Sequence, residues 1–279
     1  LDLGLGRSGG RAYLRDRVAA PERQPATVGA PARQGRVEAN GLVIPARPSL
    51  RHLMGSPRVA LSAELLQQAN AESPDYPDLV GDVVGLLRGT YRSEADLDPR
   101  PVPGHGADVQ VWVLGSSAGP SASVAGRLGL RFAANYHVSP STVLQATEAY
   151  RAAFVPSAEL ERPFGGVSAA GVGGPADASA RRAAAGFGRW VLSIRSGEGA
   201  IPFPSPAEAA AHDWTDEERA LVADRVETQF VGSPATVAAH LARLQEAAGA
   251  DEIVVTTITH DHVDRVRSYQ LLAKERFGS

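Results

Sequence analysis

The chain of 279 residues contains no cysteine, so disulfides, thiolate metal sites and a cysteine nucleophile are all excluded. It has no surplus of one charge either. Its 28 basic and 31 acidic residues are well mixed and give a net charge of −3, which is not the electrostatic footprint of a protein that binds nucleic acid or an anionic membrane. No apolar run approaches the ~18 residues of a spanning helix, and the start lacks the charged, apolar and cleavage regions of a signal peptide. These features lead us to expect a cytoplasmic protein. Methionine is nearly missing: the sole one is Met54, and the chain begins at Leu1, already inside the strand-like LDLGLGR. That beginning reads as a fragment whose earlier residues are missing. What the chain does have is 43% hydrophobic residues, enough to core one large α/β domain or two small ones.

The most informative stretch runs from Asp108 to His137. Val109, Val111, Trp112, Val113 and Leu114 form a run too short for a helix, as a strand buried on both faces would. Gly115-Ser116-Ser117 ends it. Pro120 suits a helix start, Val124, Ala125 and Leu128 recur at helical spacing, and Gly129 is placed to close the helix before the apolar run Leu130–Tyr136. This is a βαβ unit, and its first turn falls at the carboxyl edge where α/β folds bind ligands. Two hydroxyls and the free N–H groups of a helix start suit a phosphate. The same serines are equally suited to capping the helix, and Gly-Ser-Ser does not decide between the two uses.

Leu1, Leu3 and Leu5 alternate with Asp2 and Gly4 in a first strand, so Arg7 follows a strand end, where its guanidinium suits either a phosphate or solvent. Residues 15–58 are rich in Pro, Arg and Ala and read as a long loop, interrupted by a hairpin at 37–44 around Asn40-Gly41. Val59–Ala69 reads as a helix with Leu61, Leu65 and Leu66 on one side. A helix closed by Gly89 carries a stripe of Leu79, Val80, Val83, Val84, Leu86 and Leu87. Ser139-Pro140 starts another helix. Phe164–Val172 is a small-residue strand, and Ala176 to about Ile194 one alanine-rich helix. Thr215-Asp216-Glu217-Glu218 is a capping box for a helix running towards Phe230. Ser233-Pro234 starts a helix stopped by Gly249, Glu252–Thr257 is a strand, and a last helix covers about 263–277. Five parallel strands alternating with helices favour an α/β barrel or an open doubly wound sheet.

In this order LDLGLGR, VWVLGSSAGPSASVAGRLGL, YHVSP, IRSGEGAIPFP, TQFVGSP and ADEIVVTTITHDHVDRVRSYQLLA resemble the bacterial luciferase-like monooxygenases, a family of flavin-dependent (β/α)8 TIM barrels. The resemblance covers nearly the whole chain and is weakest at about 11–75. It implies that residues 1–279 are the C-terminal part of a single barrel domain carrying strands four to eight, with an irregular insertion at about 11–75. It further implies that Arg7, Ser116 and Ser117 hold a cofactor phosphate. Gly115, Tyr136 and His137 at the strand ends complete the candidate cofactor site, His137 being equally suited to a structural hydrogen bond, and Arg195, Ser196 and Glu198 of the Gly/Pro loop are candidates for a substrate-facing lid, with an Arg195–Glu198 surface ion pair as the alternative. Where bacterial luciferase has a reactive cysteine before the arginine, this chain has Gly6. The catalytic residues would lie upstream of residue 1.

The implied activity is oxidation of a small organic substrate by reduced FMN and dioxygen. A separate flavin reductase and a homodimer of the full-length protein are the implied partners, with no nucleic acid and no membrane. Three alternatives stand beside it: hydride transfer by the deazaflavin F420 on the same barrel; a metal-dependent hydrolase built on His137, His260, Asp261 and His262; and an inactive fragment with unclosed barrel edges. Against the metal reading, Asp261 is equally placed to cap the last helix and no further ligand has convincing spacing.

Overall fold

A computed structural model describes residues 2–6, 35–50, 53, 56–58, 61, 65, 75–197 and 199–278. Strand β1 (Asp2–Gly6) is followed by the two short strands β2 (Arg36–Val37) and β3 (Val43–Ile44), then by helix α1 (Tyr76–Arg88). The next units are β4 (Gln110–Gly115), α2 (Pro120–Arg127), β5 (Arg131–Asn135), a 3-10 turn at Pro140–Thr142, and α3 (Val143–Ala152). Then come β6 (Gly165–Gly173), α4 (Asp177–Ala184), α5 (Phe187–Arg195), α6 (Pro206–Ala210) and α7 (Asp216–Val226). The chain closes with β7 (Phe230–Gly232), α8 (Pro234–Ala248), β8 (Glu252–Thr256) and α9 (His262–Phe277).

The sheet runs β1-β4-β5-β6, with both β7 and β8 paired to β6, and every pairing in it is parallel. Apart from the separate β2–β3 hairpin and the small β7, strands consecutive along this path are also consecutive in sequence, so the order never reverses. A doubly wound sheet would reverse at a switch point; a steadily advancing order is that of a barrel wall. The fold is accordingly a partial barrel of the α/β type. β7 is the strand that sequence patterning misses: three residues pair only with Gly171–Gly173, the far end of the nine-residue β6, while β8 takes Gly166–Ala170.

Registered partners in parallel strands share a face. Val113, Phe132, Ala134, Val167 and Ala169 lie on the face covered by helices and form one core with Val124, Val143, Tyr150, Val237 and Leu244. The other face carries Gly6, Leu114, Ala133, Asn135, Ser168 and Val254. Leu114 and Val254 are 43% and 49% exposed there, so the expectation that the Val109–Leu114 strand is buried on both faces holds only as far as Val113.

The hairpin at Asn40-Gly41 is present, with Arg36 paired to Ile44 and Val37 to Val43. Gly41 has φ +85°, the conformation for which Asn-Gly turns select glycine. The hairpin is fixed to the body of the protein. Leu42 and Ile44 join the main core, and Asn40 Nδ2 donates to the Arg243 carbonyl at 2.9 Å and to Glu246 Oε2 at 3.0 Å. The rest of the 11–75 insertion lies largely outside the described residues. Of the helix expected at 59–69, Leu61 and Leu65 are helical but 54% and 75% exposed, so they do not form a buried stripe; Leu66 lies outside the described residues.

The single helix expected from Ala176 to Ile194 is two, α4 and α5, broken at Ala185-Gly186. A Cβ at Gly186 would stand 2.3 Å from the Pro204 carbonyl oxygen and 2.8 Å from Phe203 Cε1. The chain breaks where the 203–204 loop needs the room. Around that break Phe187, Val191 and Val222 form a second small core with Trp190, Leu192, Phe203 and Trp214, separate from the main one. The capping box is found: Thr215 Oγ1 accepts from Glu218 N at 3.2 Å and Glu218 Oε2 from Thr215 N at 3.0 Å.

Candidate functional site

The carboxyl ends of β1, β4 and β5 meet in a cleft of about 300 Å³ lined by Gly6, Leu114, Gly115, Ser116, Ser117, Gly119, Pro120, Ser121 and Asn135. β4 delivers the serine turn to its floor. Gly115 is required at the strand end because a Cβ there would lie 2.7 Å from Phe132 Cε2 and 3.1 Å from Ser121 Cβ. Ser116 and Ser117 follow, both exposed.

The two uses left open for these serines can now be separated. Gly119 is the N-cap residue of α2, and no side chain caps the helix. Capping by Ser116 or Ser117 is therefore not what these hydroxyls do. With Pro120 at the first helical position, the amides of the next residues are left for a ligand or solvent. An uncapped helix start beside two serine hydroxyls that have no partner among the described residues has the chemistry to suit an anion.

One lining residue and one residue behind the lining shape the cleft further. Asn135 lies on the open face of β5, and its Oδ1 is buried without a hydrogen-bond partner among the described residues. Thr142, in the 3-10 turn, donates its hydroxyl to the Ser116 carbonyl at 2.5 Å and so fixes the serine turn from the neighbouring loop. Sequence patterning singled out neither. Strand parity would have put Asn135 on the face shared with Leu114, but Thr142 shows no sequence signal that separates it from an ordinary helix-start residue.

Of the residues expected to hold a cofactor, Gly115, Ser116 and Ser117 come together in the cleft. Arg7 lies outside the described residues; Gly6, which precedes it, pairs with Leu114 and lines the cleft. His137 stands at the end of β5 rather than at the serine turn. Its Nδ1 is 2.7 Å from Ser168 Oγ on β6, and burial, followed by the nearby positive charge of Arg225, holds its pKa below the usual histidine value.

Tyr136 belongs to the core instead. It is fully buried, stacks on Phe230 at 5.6 Å, and donates its hydroxyl to the Val43 carbonyl at 2.6 Å. Strand alternation explains the difference, since Tyr136 follows Asn135 and so points to the opposite side of the sheet.

The lid residues divide as well. Arg195 is buried: Nη2 donates to Asp224 Oδ2 at 2.8 Å, Nη1 to Asp224 Oδ1, and Nη1 also to the Leu221 carbonyl at 2.5 Å. It joins α5 to α7 rather than facing an open pocket. Ser196 Oγ donates to the Ser193 carbonyl at 3.0 Å at the end of α5, and Glu198 lies outside the described residues. The histidines of the metal reading are held apart by different partners. His260 Nδ1 meets the Phe203 carbonyl at 2.9 Å, and His262 Nδ1 accepts from Arg265 at 2.8 Å. No three His, Asp or Glu side chains gather in a ligating group among the described residues. Asp261 is the N-cap residue of α9, without a side-chain cap bond.

A parallel barrel wall with a serine turn and a helix start at the carboxyl edge of one strand defines a TIM-type α/β protein, a class whose ligand sites lie at that edge. The comparisons with known proteins make this specific. The family model described as luciferase-like monooxygenase matches residues 77–252, and the chain belongs to that family. It is 32% identical over 199 residues to an Escherichia coli K12 luciferase-like monooxygenase, covering 71% of this chain and 59% of the relative. It is 33% identical over 215 residues to Bacillus subtilis YvbT, covering 76% of this chain and 62% of that protein. The chain thus spans about three-fifths of these curated relatives.

Among solved structures, apo-MsnO8 is similar at a TM-score of 0.64 and 28% identity, covering 78% of this chain and 63% of that one. The oxygenating constituent of 3,6-diketocamphane monooxygenase from Pseudomonas putida, in complex with FMN, shares the fold at a TM-score of 0.50 and 19% identity over 78% of this chain. No helix among the described residues is long and apolar enough to cross a membrane.

Proposed function

We propose that this chain supplies the cofactor-phosphate site of a flavin-dependent oxidoreductase that uses reduced FMN and dioxygen to oxidise a small organic substrate. The observation that carries the reading is the cleft itself. It combines two exposed serine hydroxyls with a helix start that is uncapped and an Asn135 Oδ1 that is unpartnered among the described residues, at the carboxyl edge of a luciferase-like barrel wall.

The residues fit the group. Ser116, Ser117 and the first amides of α2 donate to phosphate oxygens, and Thr142 keeps that turn in place. Asn135, one strand further along, is the first polar group on the path from the phosphate towards the open sheet face; its buried oxygen suits an N–H donor on the flavin. Arg7 follows Gly6 in sequence, and this reading assigns its guanidinium to the same phosphate. Bound flavin supplies the redox chemistry, and the protein's tasks are to hold it and keep water out. The 195–213 loop with its helices is the element this reading assigns to that exclusion, together with the 11–75 insertion. The active form is proposed as a cytoplasmic homodimer served by a separate flavin reductase.

Titration of the purified protein with FMN, read by quenching of flavin fluorescence, tests the reading. Saturable binding is expected, weakened about tenfold or more in Ser116→Ala/Ser117→Ala and in Arg7→Gln, because each change removes donors to a charged group. Equal affinity in those variants, or no saturation, overturns it. The same titration with F420 in place of FMN separates the deazaflavin alternative.

A further inference from the structure

Ser121, the second residue of α2, lines the serine cleft and is only 9% exposed. Its side chain packs against the end of β4, where a Cβ at Gly115 would lie 3.1 Å from its own. The other buried serine and threonine hydroxyls among the described residues all have partners. Thr147, Ser193 and Thr228 donate to carbonyls three or four residues back, Thr257 donates to the Gly171 carbonyl, and Ser268 accepts from Gly173 N. Ser121 has no such carbonyl behind it, because α2 begins at Pro120 and the residues three and four back belong to the serine turn. Its hydroxyl bonds nothing among the described residues.

Folding gives no reason for a serine at this place. Alanine would fill the same space, forms helix more readily and leaves no hydroxyl unmatched, whereas nearly all buried polar groups in folded proteins have a partner. A ligand in the cleft is the partner still to be supplied. The exposed Ser116 and Ser117 mark the mouth of the cleft, and the buried Ser121 marks its closed end, where the fully buried Phe132 ring lies beside Gly115. Three hydroxyls around one helix start match the three terminal oxygens of a phosphate monoester.

We infer that Ser121 makes this cleft selective for a terminal phosphate, a monoester with three unlinked oxygens, over a phosphate bridged to a second group. The ester oxygen of a monoester must face the mouth so that the rest of the molecule can leave. The oxygen held by Ser121 has no such exit, since a second ester link there would run into the Phe132 ring and the Gly115 backbone. A bridged phosphate therefore sits further out, keeps the exposed serines and loses Ser121. The identity of the phosphate carrier rests on the flavoenzyme reading, but recognition of the phosphate itself is measurable without flavin.

Fluorescence titration of the full chain with FMN, and with riboflavin 4′,5′-cyclic phosphate, a diester of nearly the same size, tests this selectivity. FMN should bind about tenfold or more tightly than the cyclic ester. Part of that preference reflects the extra charge of the monoester, so its dependence on Ser121 is the deciding measurement. In Ser121→Ala the FMN affinity should fall several-fold while that for the cyclic ester stays, shrinking the ratio accordingly. Without ligand, Ser121→Ala should melt at the native temperature or above, because no bond is lost. Isothermal titration with phenyl phosphate and methyl phenyl phosphate repeats the comparison without flavin. Equal binding of monoester and diester by the native chain overturns the assignment, as does an unchanged ratio in Ser121→Ala. A variant that melts lower or fails to fold overturns it too, since the hydroxyl would then have a structural partner. Absent FMN binding with Ser121-dependent phenyl phosphate binding would count against the flavin reading and leave this one standing. No saturable binding of any phosphate ester overturns both.

Discussion

The hydroxyl of Thr142 donates to the carbonyl oxygen of Ser116 at 2.5 Å, tying the 3-10 turn after β5 to the serine turn after β4. Neither loop lies within a regular element, so this bond, with the packing of both against the strand ends, fixes their spacing. It also means that a residue outside the cleft lining sets the direction of the hydroxyls and amides inside it. Thr142→Val keeps the shape and removes the donor. A side-chain hydrogen bond of this kind contributes a net ~1 kcal/mol. FMN affinity should therefore fall several-fold while the melting temperature drops by only a few degrees. An unchanged FMN titration would show that the turn holds its shape without Thr142.

Tyr136 provides the opposite case, a residue next to the site whose work is structural. Its hydroxyl is 2.6 Å from the Val43 carbonyl and its ring stacks on Phe230, so it joins the β2–β3 hairpin to β5 and β7. Tyr136→Phe retains the stacking but leaves the Val43 carbonyl without this donor. The expected cost is about 1–3 kcal/mol of stability, read as a lower urea midpoint, with FMN affinity unaltered. A tenfold loss of FMN binding with normal stability would return Tyr136 to the cofactor site.

Residue chemistry made the backbone of this fold legible. β-branched runs ended by glycine, Ser-Pro and Gly-Pro helix starts and the Thr215–Glu218 box all mark elements that are present. The serine turn was legible too, because a strand, a turn and a helix start are contiguous in sequence. What escaped depends on contacts between distant segments. β7 is too short to show a period, and Gly186 breaks a helix only because the Pro204 carbonyl, far along the chain, occupies the space. Arg195 and Arg225 look alike in sequence; the geometry of Asp224, which faces one and not the other, distinguishes them.

That Asp224 geometry carries its own prediction. The Arg195 and Asp224 side chains are only 6% and 7% exposed, and Asp224 is also the carboxylate nearest in sequence to Arg225. Asp224→Ala would remove the two-oxygen partner of the buried Arg195 guanidinium, and breaking a buried pair of this kind costs about 3–5 kcal/mol. The α5–α7 unit should loosen first, seen as faster amide hydrogen exchange at Val191 and Val222, which pack together in its core. Replacing both partners with apolar residues, Arg195→Met/Asp224→Leu, should recover much of the loss, because no lone charge then stays buried. A double variant as unstable as Asp224→Ala would mean that the pair matters for its specific hydrogen bonds and not for charge balance.

The same neighbourhood makes stability depend on pH in a definite direction. His137 has its pKa lowered by burial and then by Arg225, and His240, stacked on Phe230 at 5.2 Å, has its pKa lowered by burial and then by Arg243. For both, the unfolded chain takes up a proton more readily than the folded one, so stability increases with pH across the interval between the two pKa values. The contribution is fully present above the unfolded histidine pKa of about 6.5 and is lost as pH falls towards and through the lowered folded value. Urea midpoints measured from pH 7.5 down to pH 5 should therefore decline. The decline should be shallower in His137→Gln, which keeps a polar partner for Ser168 Oγ and removes the titrating group. A flat stability profile in the native protein, or an identical slope in His137→Gln, would show that neutral His137 is not what the folded state selects.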